Sequence, residues 1–239
     1  MSLKKRLFTS SAAAASDGYT DNLTSWVQVG TGKSWEGSGT SMTDLSSNTN
    51  NFTLQGAYSY SSGNNYVSLT ANSGNMVSSV NLPRNTNYSV LIWYNLSMSS
   101  SYSFLLGGND ASYINYITLG NVTSARSNES IGTYSDYGGT DYDYAPLNGH
   151  YAYSDGTWRM FVLTNASGSD LRFYMNGGST HISSLANSFW STPSLSVGRY
   201  SSGIVHAGLA IGQIRAYSVV LTVQQVIDTY NATKGLYGL

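Results

Sequence analysis

Hydrophobic and polar residues alternate along most of this chain in short runs separated by glycine, asparagine and serine. Alternation with a period of two is typical of strands that bury one face. The pattern predicts strands at Ser25–Val29, Asn51–Gln55, Asn65–Thr70 and Met76–Leu82, and it continues through the second half of the chain. Short strands punctuated by turn residues indicate an all-β protein built from antiparallel sheets.

Two segments depart from simple alternation. Tyr88–Ser97 is apolar at both odd and even positions, which predicts a central strand buried on both faces. Thr222 and Gln225 have the spacing of a capping box, and the apolar positions that follow predict one short helix near residues 223–230, ended by Gly235. The pattern therefore predicts a β-sandwich or jelly roll of two antiparallel sheets with one C-terminal helix. Its core is expected to include Trp93, Phe161, Leu163, Phe173, Val197 and Ile214.

The first twenty residues lack alternation. We interpret residues 1–20 as an N-terminal arm and residues 21–239 as a single jelly-roll domain. Chain ends stay disordered unless something ties them down. Leu3, Leu7 and Phe8 are the expected apolar anchors of this arm on a neighbouring subunit or partner.

Composition excludes several classes of function. Charged residues make up 10% of the chain, the net charge is −1, and eleven Lys and Arg are too few and too scattered for a nucleic-acid-binding face. There is no cysteine, so thiolate metal sites and disulfides are excluded. No apolar run approaches the length of a membrane span, and we expect neither a membrane partner nor a resident cofactor.

The stretch Tyr134–Gly156 concentrates six of the twenty tyrosines and four of the twelve acids. We interpret it as an insertion between strands that contacts another chain, because tyrosine supplies large contact area and keeps a polar tip. A glycan site and an ordinary polar loop are the alternatives. The candidate binding residues for an interface or a glycan are Tyr134, Tyr137, Asp141, Tyr142, Asp143, Tyr144 and Tyr151.

The acids of the same stretch raise two further questions. Calcium accepts oxygen ligands, and Asp136, Asp141, Asp143 and Asp155 are the residues that would supply them. No strict ligand spacing is present, so no metal site is assigned, and the three histidines show no zinc signature. Asp141 and Asp143 are the only pair with the spacing that two-carboxylate hydrolysis would use, and a solvated loop is the preferred interpretation of that pair.

The second half of the chain resembles a concanavalin A-like, laminin-G-like jelly-roll module. Asp155–Gly178 resembles the family's turn, tryptophan, strand and hairpin, Leu195–Arg199 its short Gly-terminated strand, and Gly208–Asn231 its closing strand and helix. Asn64–Ser97 resembles the opening strands. The family's closing strand often has two acids where this chain has Gly212 and Gln213, so a role attached to those acids is in doubt here.

The resemblance implies lectin or glycan-hydrolase relatives, and hydrolases of this fold carry closely spaced acids on one strand. This chain has only Glu36 and Glu129 as glutamates, without such neighbours, and we expect no enzymatic activity. The termini MSLKKRLFTS and YNATKGLYGL are similar to the ends of tailed-phage structural proteins. The sequence therefore predicts a virion structural or decoration protein that forms homo-oligomers and contacts other virion proteins, with a carbohydrate-binding module for attachment to a glycan surface as the alternative.

Overall fold

The computed structural model describes residues 17–30, 32–71, 73–82, 86–97, 103–108, 115–119, 130–136, 140–146, 155–167, 170–183, 194–199 and 208–239. Sixteen strands and one α-helix form within these residues. In chain order the strands are β1 (Leu23–Gln28), β2 (Ser41–Met42), β3 (Phe52–Gln55), β4 (Tyr58–Ser61), β5 (Tyr66–Leu69), β6 (Asn75–Ser78), β7 (Tyr88–Ser97), β8 (Ser103–Gly108), β9 (Asn115–Leu119), β10 (Ser130–Asp136), β11 (Thr140–Pro146), β12 (Asp155–Ala166), β13 (Asp170–Met175), β14 (Gly178–Ser183), β15 (Leu195–Val197) and β16 (Leu209–Tyr217). The helix is α1 (Val223–Thr233), followed by a 3-10 helix at Lys234–Tyr237.

The strands form two antiparallel sheets. The first sheet has the order β14-β13-β12-β7-β16-β5-β4, and β1 pairs with the part of β16 that extends beyond β5. The second sheet has the order β11-β10-β9-β8-β15-β6-β3-β2. This arrangement confirms the predicted sandwich of two antiparallel sheets with one short C-terminal helix.

The main core lies between the two sheets. Alternate residues of β7, including Val90 and Ile92, pack there against Leu54, Leu106 and other side chains of the second sheet. All six predicted core residues are 0–1% exposed: Trp93, Phe161, Leu163, Phe173, Val197 and Ile214.

The outer face of the first sheet carries a second apolar layer. Leu91 and Trp93 lie on this face of β7, and Val226 of α1 packs against the same cluster. Trp93 also donates from Nε1 to Thr233 Oγ1 of the helix at 3.0 Å. Because helix and core cover its two faces, β7 is buried on both, as its sequence predicts.

The helix begins as its sequence predicts but ends later. Thr222 Oγ1 accepts from the Gln225 backbone N–H at 3.2 Å, and the Gln225 side chain accepts from the Thr222 N–H at 2.8 Å. Gly235 does not end the run, because the chain tightens into the 3-10 helix and turns only at Gly238, where φ is +75°. Because the helical segment continues to residue 237, Tyr237 lies against the sheet. Within the described residues, no helix is long and apolar enough to cross a membrane.

The start of the described chain packs on its own domain. The Tyr19 ring stacks on Tyr217 with centroids 6.0 Å apart, and the Tyr19 N–H donates to Thr229 Oγ1 at 3.2 Å. The last residues of the predicted arm are therefore held by the domain itself. The anchors Leu3, Leu7 and Phe8 lie outside the described residues, so their docking stays a prediction.

Candidate functional site

Four neighbouring strands of the first sheet place a row of residues side by side on its outer face. In the register of β5, β16, β7 and β12, Ser68 pairs with Ala210, Ala210 pairs with Asn95, and Asn95 pairs with Trp158. The row lies on the same face of the sheet that α1 and the 3-10 helix cover, just beyond the end of the covered area. Each of the four residues is partly exposed.

These residues form the floor and one wall of an open cleft of about 490 Å³, which we call the Trp158 cleft. The Tyr66 and Trp158 rings meet within it, with centroids 5.5 Å apart and planes inclined by 58°. The lining residues are Asn64, Tyr66, Ser68, Asn95, Trp158, Gly208 and Ala210. The small residue Ala210 lies between larger neighbours in the register and leaves space above the sheet.

The side chains that line the cleft offer the amides of Asn64 and Asn95, the hydroxyls of Tyr66 and Ser68 and the Trp158 indole N–H as polar groups. Asn95 Nδ2 donates to the Gly156 carbonyl, and Asn64 Nδ2 donates to Ser61 Oγ at 3.1 Å. These bonds orient both amides. Among the described residues that line the cleft there is neither a carboxylate nor a cation, so its recognition chemistry is neutral hydrogen bonding beside aromatic rings.

Tyr237, the last residue of the 3-10 helix, packs against the aromatic residues of the cleft. Its ring lies 4.8 Å from the Trp158 ring and 4.4 Å from the Trp93 ring, centroid to centroid. Gly212 makes this approach feasible, since a Cβ there would overlap the Tyr237 ring and lie 2.7 Å from its hydroxyl oxygen. Burial raises the pKa of the Tyr237 hydroxyl, which keeps it neutral.

Gln213, the residue after Gly212, accepts hydrogen bonds from the buried Arg215. With its amide oriented by the surrounding donors, Gln213 Oε1 accepts from Arg215 Nε at 2.8 Å, from Arg215 Nη2 at 2.6 Å and from Trp26 Nε1 at 2.8 Å. The guanidinium also lies 4.6 Å from the centroid of the Trp26 ring and donates to the Tyr19 carbonyl at 3.2 Å. The two positions where the family often has acids thus serve packing and internal hydrogen bonding in this chain.

The described members of the sequence-predicted binding set lie in the other sheet. Tyr134 of β10 pairs with Tyr142 of β11, Gly132 pairs with Tyr144, and β11 is the last strand in the described order of the second sheet. Residues 134–136 and 140–146 of the stretch are therefore strands of that sheet, which agrees with the preference of tyrosine for strands. Tyr137 and Tyr151 lie outside the described residues.

The acids considered for calcium are divided between the sheets. Asp141 and Asp143 are two residues apart on β11, Asp136 pairs with Thr140 at the turn, and Asp155 pairs with Ser97 in the first sheet. In the described part of the chain, no cluster of three or more acids or histidines could hold a metal ion. Calcium binding by these residues stays an untested alternative to the expectation of no cofactor.

Pattern reasoning from the sequence did not single out the cleft. Its residues come from Asn64–Ser68, Asn95, Trp158 and Gly208–Ala210, which are distant in sequence and meet only through strand pairing. One signal was available. Trp158 lies near the start of β12, after the sequence Asp-Gly-Thr, where a large aromatic residue can face solvent.

Comparisons with known proteins agree with this architecture. The binding domain of Paraclostridial Mosquitocidal Protein 1 is similar with a TM-score of 0.67 and 14% identity, over 91% of this chain and 55% of that chain. The ligand binding domain of botulinum neurotoxin serotype D, in complex with N-acetylneuraminic acid, has a TM-score of 0.63 and 14% identity over 88% of this chain and 51% of that one. The botulinum neurotoxin type G receptor binding domain has a TM-score of 0.61 and 11% identity over 88% and 51%.

This chain therefore spans about half the length of these structures, and the likeness concerns the fold. No curated protein matches the chain. The family model for the concanavalin A-like lectin/glucanases superfamily matches residues 61–227, which is more than half of the chain. By that match, together with the two-sheet sandwich, the chain belongs to the concanavalin A-like lectin/glucanase superfamily.

Proposed function

We propose that this chain is a non-enzymatic glycan-binding module and that the Trp158 cleft is its binding site. The observation that carries the proposal is the pairing of two partly exposed aromatic residues, Tyr66 and Trp158, with the amides of Asn64 and Asn95 in one concave surface. Ligand sites are concave, largely preformed and equipped with a few convergent polar groups.

The chemistry of the cleft fits a sugar ring. The C–H-rich face of a pyranose packs on an aromatic plane, while an amide offers both a donor and an acceptor to neighbouring hydroxyls. Asn64 and Asn95 lie on either side of the Ala210 floor, so hydroxyls at both edges of a ring can be reached at once. A related fold in complex with N-acetylneuraminic acid supports glycans as the ligand class.

The same lining argues for binding without hydrolysis. Two-carboxylate glycoside hydrolysis places an acid and a nucleophile or base on either side of the scissile bond. The described residues of the cleft contribute amides, hydroxyls, aromatic rings and small side chains instead. A sugar held there would meet no group able to protonate its leaving oxygen.

Binding to a glycan panel, followed by titration of the strongest ligand, tests the proposal. Trp158→Ala should lower affinity roughly tenfold or more because the stacking plane is lost. Ala210→Leu should do the same by filling the floor, without removing the Trp158–Tyr237 contact. Tyr58→Ala is the matched control, because Tyr58 lies on neighbouring β4 with its register partner Leu69 in the main core. Unchanged affinity in both cleft variants would contradict the proposal.

The second candidate function is assembly in a phage particle, and we propose that it would use the edge of the second sheet. β11 is the last strand in the described order of the second sheet, and exposed sheet edges pair readily with other chains. Replacing Tyr142 and Tyr144 by Ala should then weaken self-association in sedimentation experiments while the melting temperature stays nearly constant. A monomeric wild-type chain, or association unaffected by the replacement and by removal of residues 1–16, would contradict it.

A further inference from the structure

A second concave site of about 370 Å³, the Gln28 pocket, neighbours the Trp158 cleft. Tyr237 lines this pocket and its ring contacts Trp158, and the turn after β4 contributes Asn65 to the pocket and Asn64 to the cleft. One ligand longer than a single sugar could therefore contact both sites. The pocket is lined by Gln28, Val29, Gly30, Lys33, Ser62, Asn65, Leu236 and Tyr237.

Gln28 is a buried acceptor that the described protein leaves unused. Its side chain belongs to a residue only 6% exposed, and its Oε1 has no hydrogen-bond partner among the described residues. A buried oxygen without a donor is unfavourable, so a site that keeps one is suited to a donor from a ligand. The terminal torsion of glutamine is broad, and a small rotation turns this oxygen into the pocket.

The backbone around Gln28 is held firmly in place. Ser34 Oγ accepts from the Gln28 N–H at 2.9 Å, and the Ser34 N–H donates to the Gln28 carbonyl at 2.9 Å. The Asn65 side chain packs so closely on Gly30 that a Cβ at position 30 would lie 2.9 Å from Asn65 Oδ1. The backbone of Gln28 and the side chain of Asn65 are thus positioned before any ligand arrives.

Lys33 gives the pocket its charge. It is exposed and is the only charged residue among the described residues that line the pocket. Glu36 belongs to the same loop, where it accepts from the Gly32 N–H, but it does not line the pocket. A ligand that fits this site offers a hydroxyl donor to Gln28 and a negative group to Lys33.

We propose that the Gln28 pocket is a second subsite that takes a carboxylate-bearing sugar, its hydroxyls donating to Gln28 and its carboxylate facing Lys33, while the adjoining sugar of the same glycan stacks in the Trp158 cleft. This inference rests on the glycan-binding function proposed above and names the sugar class that would extend it. Ser62 and Asn65 supply further hydroxyl and amide groups at the rim of the pocket.

Nuclear magnetic resonance titration with glucuronate and with its neutral methyl ester tests the subsite. Glucuronate should shift the side-chain amide of Gln28 and the backbone signals of Lys33 and Asn65, and the ester should bind more weakly. Shifts confined to the Trp158 indole would overturn the subsite and leave the proposed function intact. Shifts in the Gln28 pocket without any at Trp158 would support the subsite, because a single glucuronate lacks the adjoining sugar that stacks in the cleft.

Two variants of the pocket and one control variant sharpen the test. Lys33→Gln should reduce affinity for glucuronate roughly two- to fivefold, the range of an exposed ion pair, and leave affinity for the ester unchanged. Lys234→Gln makes the same charge change outside the pocket and should have no effect. Gln28→Met removes the acceptor and should weaken both ligands, with thermal melting used to verify folding. Equal affinities of all variants for glucuronate would overturn the proposal.

Discussion

At the residue scale, the guanidinium of Arg215 is held inside the domain by neutral groups. The residue is 0% exposed, and its partners include the Gln213 amide, the Tyr19 carbonyl, the Trp26 ring and the Tyr217 hydroxyl. A buried charge is expensive unless its hydrogen bonds are satisfied, so each of these acceptors matters more than one at the surface. The outer layer of the first sheet depends on this network.

Loss of the Gln213 acceptor should therefore lower the stability of the folded domain. Gln213→Leu leaves Arg215 Nε and Nη2 without their oxygen and should lower the free energy of unfolding by about 3 kcal/mol or more, measured by urea denaturation. Gln213→Glu keeps an oxygen in place and should be tolerated. Gln28→Leu, at the register partner of Gln213, is the control and should lose much less. Equal losses for the two leucine variants would contradict this account.

Gly212 is required because the Tyr237 ring packs directly on it, and not because its backbone adopts a conformation that favours glycine. In Gly212→Ala the new methyl group would push the Tyr237 ring off the sheet and should cost roughly 1–3 kcal/mol in thermal or urea unfolding. Gly235→Ala is the matched control, because a Cβ there meets nothing within 4 Å. In a Tyr237→Ala background the Gly212→Ala loss should largely disappear, and persistence of the full loss would assign it to another cause.

At the element scale, α1 acts as the cover of the first sheet. Val226 and Tyr230 pack over Leu91 and Trp93, and the Tyr230 ring stacks on Trp93 with centroids 5.8 Å apart. An isolated helix of eleven residues is marginal in water, so packing on the sheet supplies most of its stability. The helix and the strand beneath it should therefore unfold together.

The capping box adds a local contribution to this element. Thr222→Ala removes the oxygen that accepts from the Gln225 N–H and should destabilise the protein by about 1 kcal/mol. Gln224→Ala, which removes only the exposed bond to Asp228, should change stability by a few tenths of a kcal/mol. Both losses are read from chemical denaturation, and a similar loss for the two variants would show that the cap contributes nothing special.

At the scale of the whole molecule, the described residues form a sandwich whose first sheet is covered on its outer face. The cover consists of residues 17–22, α1 and the 3-10 helix, which ends at Tyr237. The Trp158 cleft and the Gln28 pocket both adjoin Tyr237. Their position follows from where the cover ends, since beyond it the aromatic and amide side chains of the sheet meet solvent.

Buried tyrosines should make the folded domain sensitive to alkali. Burial raises the pKa of Tyr88 and of Tyr217 above the ordinary value of 10.0. A raised folded-state pKa means that the stabilisation is complete below pH 10 and is lost as pH rises beyond it. For Tyr88 alone the free energy of unfolding should fall by about 1.4 kcal/mol per pH unit well above pH 10. Urea unfolding at pH 8 and pH 11 measures the effect, Tyr88→Phe should reduce it, and a flat profile would contradict it.

Local sequence patterns predict most of the secondary structure. The period-two alternation predicted the strands, the apolar run at Tyr88–Ser97 predicted a strand buried on both faces, and Thr222 with Gln225 predicted the start of the helix. Those features depend on residues close together in the chain, so local pattern is sufficient to find them. The family resemblance rested on the same local segments and is confirmed over residues 61–227.

The proposed ligand site, in contrast, forms only through tertiary structure. The sequence drew attention to Tyr134–Gly156 because its tyrosines and acids are adjacent in the chain, whereas the Trp158 cleft joins Tyr66, Asn95 and Trp158 through strand pairing. Whether an aromatic residue is covered or exposed also depends on elements far away in sequence. The helix and Tyr237 bury Trp93 but leave one side of Trp158 open, although both residues lie on the same face of the same sheet. Register and cover are long-range properties, and alternation within a strand carries no information about either.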